Sequence, residues 1–183
     1  MSKDDPEMTA QDVIAFMRLL DEHGIKVFLD GGWAVEALVG TGPQGFQPTR
    51  RHADLDIAVQ HSDTVRIREL LAGRGYREVA RADSWECNFV LGDAAGHLID
   101  VHSYSFDADG KLVHGVPYPL ESLSGHGSID GFPVECIAPE WLVRFHSGYE
   151  VDENDYRDVR ALCQRFGMAL PEEYRKFVEK GDG

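Results

Sequence analysis

The stretch "RRHADLDIAV", residues 50–59, decides how this chain is read. Asp54 and Asp56 flank a single leucine, and the apolar residues Leu55, Ile57 and Val59 alternate with them as in a half-buried strand. Side chains of a strand alternate faces, so the two carboxylates point the same way, with Cα atoms roughly 6–7 Å apart, while Leu55 and Ile57 face a core. Unpaired carboxylates are costly to bury. Something must hold two negative charges side by side.

Upstream, Thr9 followed by Asp12 marks a helix start, and Val13, Ile14, Phe16, Met17 and Leu20 carry helical spacing up to His23 and Gly24. "IKVFL" (25–29) is a short β-rich run, and "DGGWAVEALVG" (30–40) turns at Gly31 and Gly32 into a helical pattern that stops at Gly40. "TGPQGFQPT" (41–49) has the composition of an exposed loop. Strand, glycine turn, helix, loop and the Asp-x-Asp strand therefore follow in order.

Downstream, "SDTVRIRELLAGRGY" reads as a helix capped by Ser62 and stopped by glycine. "YREVARA", "SWECNFVLG" and "HLIDVHSYSF" each alternate, which predicts a meander extending the same sheet. Two short extended pieces lie in the Gly/Pro-rich passage 116–137, and three helices are expected from Pro139 onward. The expected fold class is α+β: a mixed β-sheet flanked by helices. Residues 1–137 would form the core, and 138–183 a helical C-terminal part packed on it as a single unit.

The alternation in "LIDVHSY" places Asp100 and His102 on one face. If that strand neighbours the Asp-x-Asp strand in register, three carboxylates converge, and the cluster requires a cation. Oxygen-only ligands select Mg²⁺ or Mn²⁺ over zinc, and such an ion commonly keeps substrate phosphates in its remaining positions. Gly31 and Gly32, opening a helix, could present backbone N–H groups to an anion. A lone Gly-Gly is more often a structural turn, and a lone Asp-x-Asp is more often solvated. The specific signal is the order of the pieces.

On "LDGGWAVEALVG", "RRHADLDIAV", "LIDVHSY" and "RFHSGYE", the chain resembles the nucleotidyltransferases of the polymerase-β-like superfamily. Within it, the chain looks most like the small lincosamide nucleotidyltransferases and their aminoglycoside 2''-adenylyltransferase relatives. The resemblance implies a nucleotidyltransferase fold and transfer of AMP from ATP to a hydroxyl of a small antibiotic, with pyrophosphate leaving. Asp54 and Asp56 match the family's metal-binding pair, Asp100 the third carboxylate (metal ligand or general base), and Gly31 and Gly32 the triphosphate turn. Arg51 and His52, with Arg50, could contact the triphosphate or balance the aspartates. Glu36, Glu86, Asn88 and His102 are candidates for the acceptor side, with an exposed or structural role as the alternative for each. Two departures, the long 41–49 loop and Ser103 where proline is expected, fall near the acceptor. A macromolecular acceptor and a non-catalytic nucleotide-binding module remain as alternatives, and the resemblance leaves a homodimer open.

Composition bounds the rest. The 183 residues carry 32 acidic and 18 basic side chains, a net charge of -14 spread along the chain. Such a surface repels phosphate backbones, so a nucleic-acid partner is not expected, whereas a cationic small molecule suits it. Cys87, Cys136 and Cys163 show no metal-type spacing and read as buried thiols of a reducing compartment. No apolar run approaches the roughly 20 residues that span a bilayer. A cytoplasmic protein without membrane association is the expectation.

Overall fold

The computed structural model describes residues 6–42 and 44–181. Its elements are α1 (Ala10–Glu22), β1 (Val27–Leu29), α2 (Gly31–Val39), β2 (Thr41–Gly42), β3 (Gly45–Phe46), β4 (Asp54–Gln60), α3 (Thr64–Ala72), β5 (Arg77–Val79), β6 (Asn88–Gly92), β7 (Leu98–Phe106), β8 (Leu112–Gly115), β9 (Gly125–Ile129), β10 (Phe132–Cys136), α4 (Pro139–Phe145), α5 (Glu153–Phe166) and α6 (Arg175–Gly181). Thr9 starts α1 through a capping box: its hydroxyl accepts the Asp12 N–H and the Asp12 carboxylate accepts the Thr9 N–H.

The main sheet runs β5-β6-β7-β4-β1-β10-β9, with β8 also on β7. β4 and β7 are parallel, as are β1 and β10, and the remaining pairs are antiparallel. This is the mixed sheet flanked by helices that the alternation implied, with β5–β6–β7 as the meander. Leu55, Ile57, Ile99 and Val101, the residues between the polar positions of β4 and β7, are fully buried. They anchor both strands in one hydrophobic core, which also takes in Trp33 of α2 and Leu142, Val159, Leu162 and Tyr174 of the C-terminal helices. Among the described residues no helix is long and apolar enough to cross a membrane.

Several local expectations are corrected. Ser62 does not cap α3: a 3-10 turn, His61–Asp63, runs straight into the helix, and the backbone at Asp63 is already helical. The first-turn contact comes instead from Thr64, whose hydroxyl donates to the His61 carbonyl at 2.8 Å. The 41–49 loop holds the two-residue ladder of β2 and β3. β6 begins only at Asn88, because Trp85 and Asn88 bridge around a turn that carries Glu86 and Cys87. The last helix opens with a 3-10 turn, Glu172–Tyr174.

Candidate active site

The parallel register of β4 and β7 sets Asp56 directly opposite Asp100, Asp54 opposite Leu98 and Ala58 opposite His102. The strands are thus neighbours in the register that alternation required. Asp54 is exposed and Asp56 and Asp100 are half-buried. The Asp56 carboxyl is pushed up to about 8, first by burial and then by the negative charges of Asp54 and Asp30. Burial also raises Asp100; the positive His102 opposes this and Asp54 adds to it. Asp100 Oδ1 is buried without a hydrogen-bond partner. Oxygen donors, neighbouring negative charge and an orphaned acceptor are the chemistry a divalent cation takes. Asp56 and Asp100 face each other across the two strands, while the three carboxylates stand further apart than a bound ion would draw them.

The β1–α2 turn is pinned to this cluster from the other side. Asp30 N donates to the Asp56 carbonyl at 2.9 Å, bringing the start of α2 beside the carboxylates. Asp30 Oδ1 accepts the Gly31 N–H at 2.8 Å and so caps α2, while Asp30 Oδ2 accepts the Tyr118 hydroxyl. Gly31 has φ +53°, and a Cβ there would lie 2.2 Å from Asp56 Oδ2. Only glycine fits, for conformation and for space.

His102 joins the two halves. Its Nδ1 lies 3.2 Å from the Tyr118 hydroxyl and 3.8 Å from Asp30 Oδ2, and its Nε2 lies 3.5 Å from Asp100 Oδ1. Burial lowers the affinity of His102 for its proton, but hydrogen bonding to Asp30 and the charge of Asp100 outweigh this, and its pKa is raised. Asp30 is affected the opposite way: burial would raise it, and the contacts with His102 and Tyr118 hold it below the usual carboxylate range. Burial and the Asp30 charge push the Tyr118 hydroxyl far up. Tyr118, Asp30, His102 and Asp100 form one polar row across β1, β7 and the segment after β8.

Two cavities flank the carboxylates. One, of about 340 Å³, is lined by Asp30, Gly31, Asp56 and His102 on its polar side and by Val116, Pro117, Tyr118, Phe145, His146 and Tyr149 on the other. The second, of about 240 Å³, is lined by Asp54 and Asp100 with Arg81, Asp83, Ser84, Asn88, Val90 and Leu98. Asp56 thus faces the first, and Asp54 and Asp100 the second. A site for two substrates needs such an arrangement.

Other candidates from the sequence are placed elsewhere. Glu36 is fully buried, its carboxylate accepting from Thr49 N and the Thr49 hydroxyl and lying 2.9 Å from His52 Nε2. Glu36 therefore lines no acceptor pocket, and His52, only 2% exposed, is its partner and does not reach the carboxylate cleft. A Cβ on Gly32 would lie 2.5 Å from His52 and 2.6 Å from Arg50 Nη2, so this glycine serves a close packing contact. Arg50 pairs with the buried Asp158 of α5 at 2.7 Å, and Arg51 Nε pairs with Glu7 at 2.6 Å; neither lines the two cavities at the carboxylates. Glu86 is exposed on its turn beside His114, because the strand that would have aimed it has not yet begun. Asn88 and His102 do lie at the cavities. Sequence reasoning missed Asp30 and Tyr118. An acid just before a Gly-Gly helix start carried a capping signal for Asp30, whereas Tyr118 sits in a Gly/Pro-rich passage without periodicity.

This arrangement has counterparts among known proteins. A lincosamide resistance protein of Staphylococcus haemolyticus is 26% identical over 161 residues, covering 85% of this chain and 94% of that protein. The lincomycin-bound crystal structure of the lincosamide antibiotic adenylyltransferase LnuA superposes with a TM-score of 0.72 at 23% identity, covering 86% of this chain and 98% of that one. ANT(2'')-Ia in complex with adenylyl-2''-tobramycin gives a TM-score of 0.69 at 18% identity, covering 94% and 98%. These likenesses establish the nucleotidyltransferase fold. Residues 12–162 match the aminoglycoside-2''-adenylyltransferase family, and the chain belongs to that family of nucleotidyltransferases.

Proposed function

We propose that the protein transfers AMP from ATP to a hydroxyl of a small antibiotic, a lincosamide or an aminoglycoside, in a Mg²⁺- or Mn²⁺-dependent reaction that releases pyrophosphate. The observation that carries this reading is the Asp56–Asp100 pair, which lies between two cavities and keeps one buried Asp100 oxygen without a hydrogen bond. Family membership and the antibiotic-modifying relatives support the choice of acceptor class.

Asp54, Asp56 and Asp100 would hold the metal, which when bound supplies charge neutralisation at the phosphoryl group being transferred. Gly31, which carries no side chain at the start of α2, allows the triphosphate a close backbone approach in the larger cavity, whose aromatic wall of Phe145, His146 and Tyr149 suits the base. In the smaller cavity Asp54, Asp83 and Asp100 give a negative wall that suits a cationic acceptor. Asp100 takes the proton of the acceptor hydroxyl, and His102 at 3.5 Å orients its carboxylate. Asp30 and Tyr118 in turn fix His102.

The test is mass spectrometry of the protein with Mg²⁺, each nucleoside triphosphate in turn and a panel of lincosamides and aminoglycosides, beside Asp54→Asn. An acceptor heavier by one nucleoside monophosphate, absent from the control, is the expected result. An adduct that persists at full yield in Asp54→Asn overturns the metal assignment. No adduct with any acceptor, while ATP still binds, overturns the small-antibiotic reading.

A further inference from the structure

At the far end of β4 from Asp54, a second group of side chains has a donor chemistry that the carboxylate cleft does not use. Cys87 Sγ lies 3.4 Å from His61 Nδ1 and 3.2 Å from His114 Nε2, and His114 Nε2 lies 3.3 Å from Glu86 Oε1. Among the described residues, His61, Cys87 and His114 are the one group of three His, Cys or carboxylate donors whose ligand atoms all lie within 4.8 Å of one another. The topology explains why they meet. Asn88 at the start of β6 stands opposite His102, and Gly115 at the end of β8 stands opposite Tyr104, so the two strands abut along the same edge of β7. Cys87 O accepts the Ser103 N–H there, and Ser103 O accepts the Val116 N–H. His61, in the 3-10 turn that ends β4, closes the third side, its Nδ1 2.9 Å from the Ser103 hydroxyl.

We propose that His61, Cys87 and His114, completed by Glu86, form a zinc site that clips the β4–α3 turn, the β6 entry and β8 together. Donors at about 2.0–2.1 Å (N, O) and about 2.3 Å (S) around a tetrahedral ion stand roughly 3.3–3.6 Å apart, close to the 3.2–3.4 Å of the Cys87–His61, Cys87–His114 and His114–Glu86 contacts. Glu86, exposed and outside the group of three, turns in from His114 to complete the set. Thiolate and imidazole select zinc over the magnesium that carboxylates prefer, so the two ions have separate addresses. One thiolate and one carboxylate balance a divalent charge. The Ser103 hydroxyl, displaced from His61 Nδ1 by the ion, keeps the Cys87 carbonyl at 3.5 Å. Ser103 is three residues along β7 from Asp100, about 10 Å, and on the opposite face, so the clip does not enter the reacting cleft. It fixes the strand that carries Asp100 and His102.

The experiment uses the full chain, stripped of metal and held in excess Mg²⁺ to occupy the carboxylates, and reads Co²⁺ binding by absorption. One equivalent is expected to give a near-ultraviolet thiolate-to-cobalt band with the visible bands of tetrahedral cobalt, removed by one equivalent of Zn²⁺. Cys87→Ser should abolish the thiolate band. His114→Gln, at an exposed position, is the second variant. It should weaken Zn²⁺ binding by on the order of 100-fold or more, since loss of an outer partner alone costs about 10–100-fold. No thiolate band in the wild-type chain means a hydrogen-bonded cluster and overturns the site. A band that survives Cys87→Ser, or Zn²⁺ affinity unchanged in His114→Gln, overturns the donor assignment. None of these readouts depends on transfer activity.

Discussion

Two groups of acids, one around Glu36 of α2 and one on β4 and β7, differ in what faces each carboxylate. Glu36 meets donors at every oxygen, the Thr49 N–H and hydroxyl and His52, and the neighbouring Asp158 is held by Arg50 through three contacts of 2.7–3.2 Å. Asp56 meets mainly other acids, and Asp100, with His102 at 3.5 Å, still keeps one buried oxygen without a hydrogen bond. A satisfied cluster holds the fold together; a frustrated one is waiting for a ligand. Sequence motifs alone treat these acids alike. The partners separate them.

The largest effect should follow from breaking the frustrated cluster. Asp56→Asn should lower AMP transfer by on the order of 10³-fold or more, the scale of losing a group that stabilises phosphoryl charge. The same change should stabilise the metal-free protein at alkaline pH. Asp56 keeps its proton in the folded chain up to about pH 8, whereas an unfolded aspartate loses it near 3.9. Its contribution is therefore full below about pH 4 and lost as pH rises through 8. Scanning calorimetry at pH 5 and pH 8.5 should show the variant gaining more on wild type at the higher pH, by about 2–4 °C for each kcal/mol of relieved repulsion. An equal Tm difference at both pH values would sink the assignment of repulsion to Asp56.

Breaking the satisfied cluster should have the opposite signature. Glu36→Ala leaves the buried His52 without its acceptor and frees the exposed Thr49 from α2, a loss of about 3–5 kcal/mol, or roughly 10 °C in Tm. Transfer per folded molecule should stay within about twofold of wild type. A selective rise in KM for the acceptor, at unchanged Tm, would return Glu36 to the binding pocket.

A smaller effect sharpens the contrast without mutation. Because the metal must displace the proton of Asp56, Mg²⁺ affinity should fall up to about tenfold for each pH unit below 8, levelling off above it. Calorimetric titration of the wild-type chain at pH 6.5, 7.5 and 8.5 reads this directly. Affinity that is flat across the range contradicts metal binding at Asp56.

How far the sequence reached follows the same division. The period-two pattern of β4 and β7 showed which side chains share a face, and the structure pairs the two strands with Asp56 opposite Asp100. Contacts across long separations were illegible. Tyr118 reaches Asp30 over 88 residues and Arg50 reaches Asp158 over 108, and no local pattern encodes either. Glu86 misled for a different reason: alternation was extended through a turn, where period two no longer holds. Glu36 misled because helical spacing gives a face and not the donors that face meets.

The smallest effect tests the margin between the two regions. Arg51 directly precedes His52 and the Asp-x-Asp strand, so proximity in sequence argued for the triphosphate, but its Nε pairs with Glu7 at 2.6 Å and both side chains are more than a third exposed. A screened pair of this kind is worth about 1 kcal/mol or less. Arg51→Ala should therefore lower Tm by no more than a few degrees and leave KM for ATP within about twofold. Arg50→Ala should differ sharply, because it strands the buried Asp158 carboxylate and loosens α5 from the turn before β4. If instead Arg51→Ala raises KM for ATP tenfold while Tm holds, the arginine swings onto the nucleotide. The Glu7 pair would then be a resting contact, and the boundary of the catalytic region would have to be drawn one residue further from the strand.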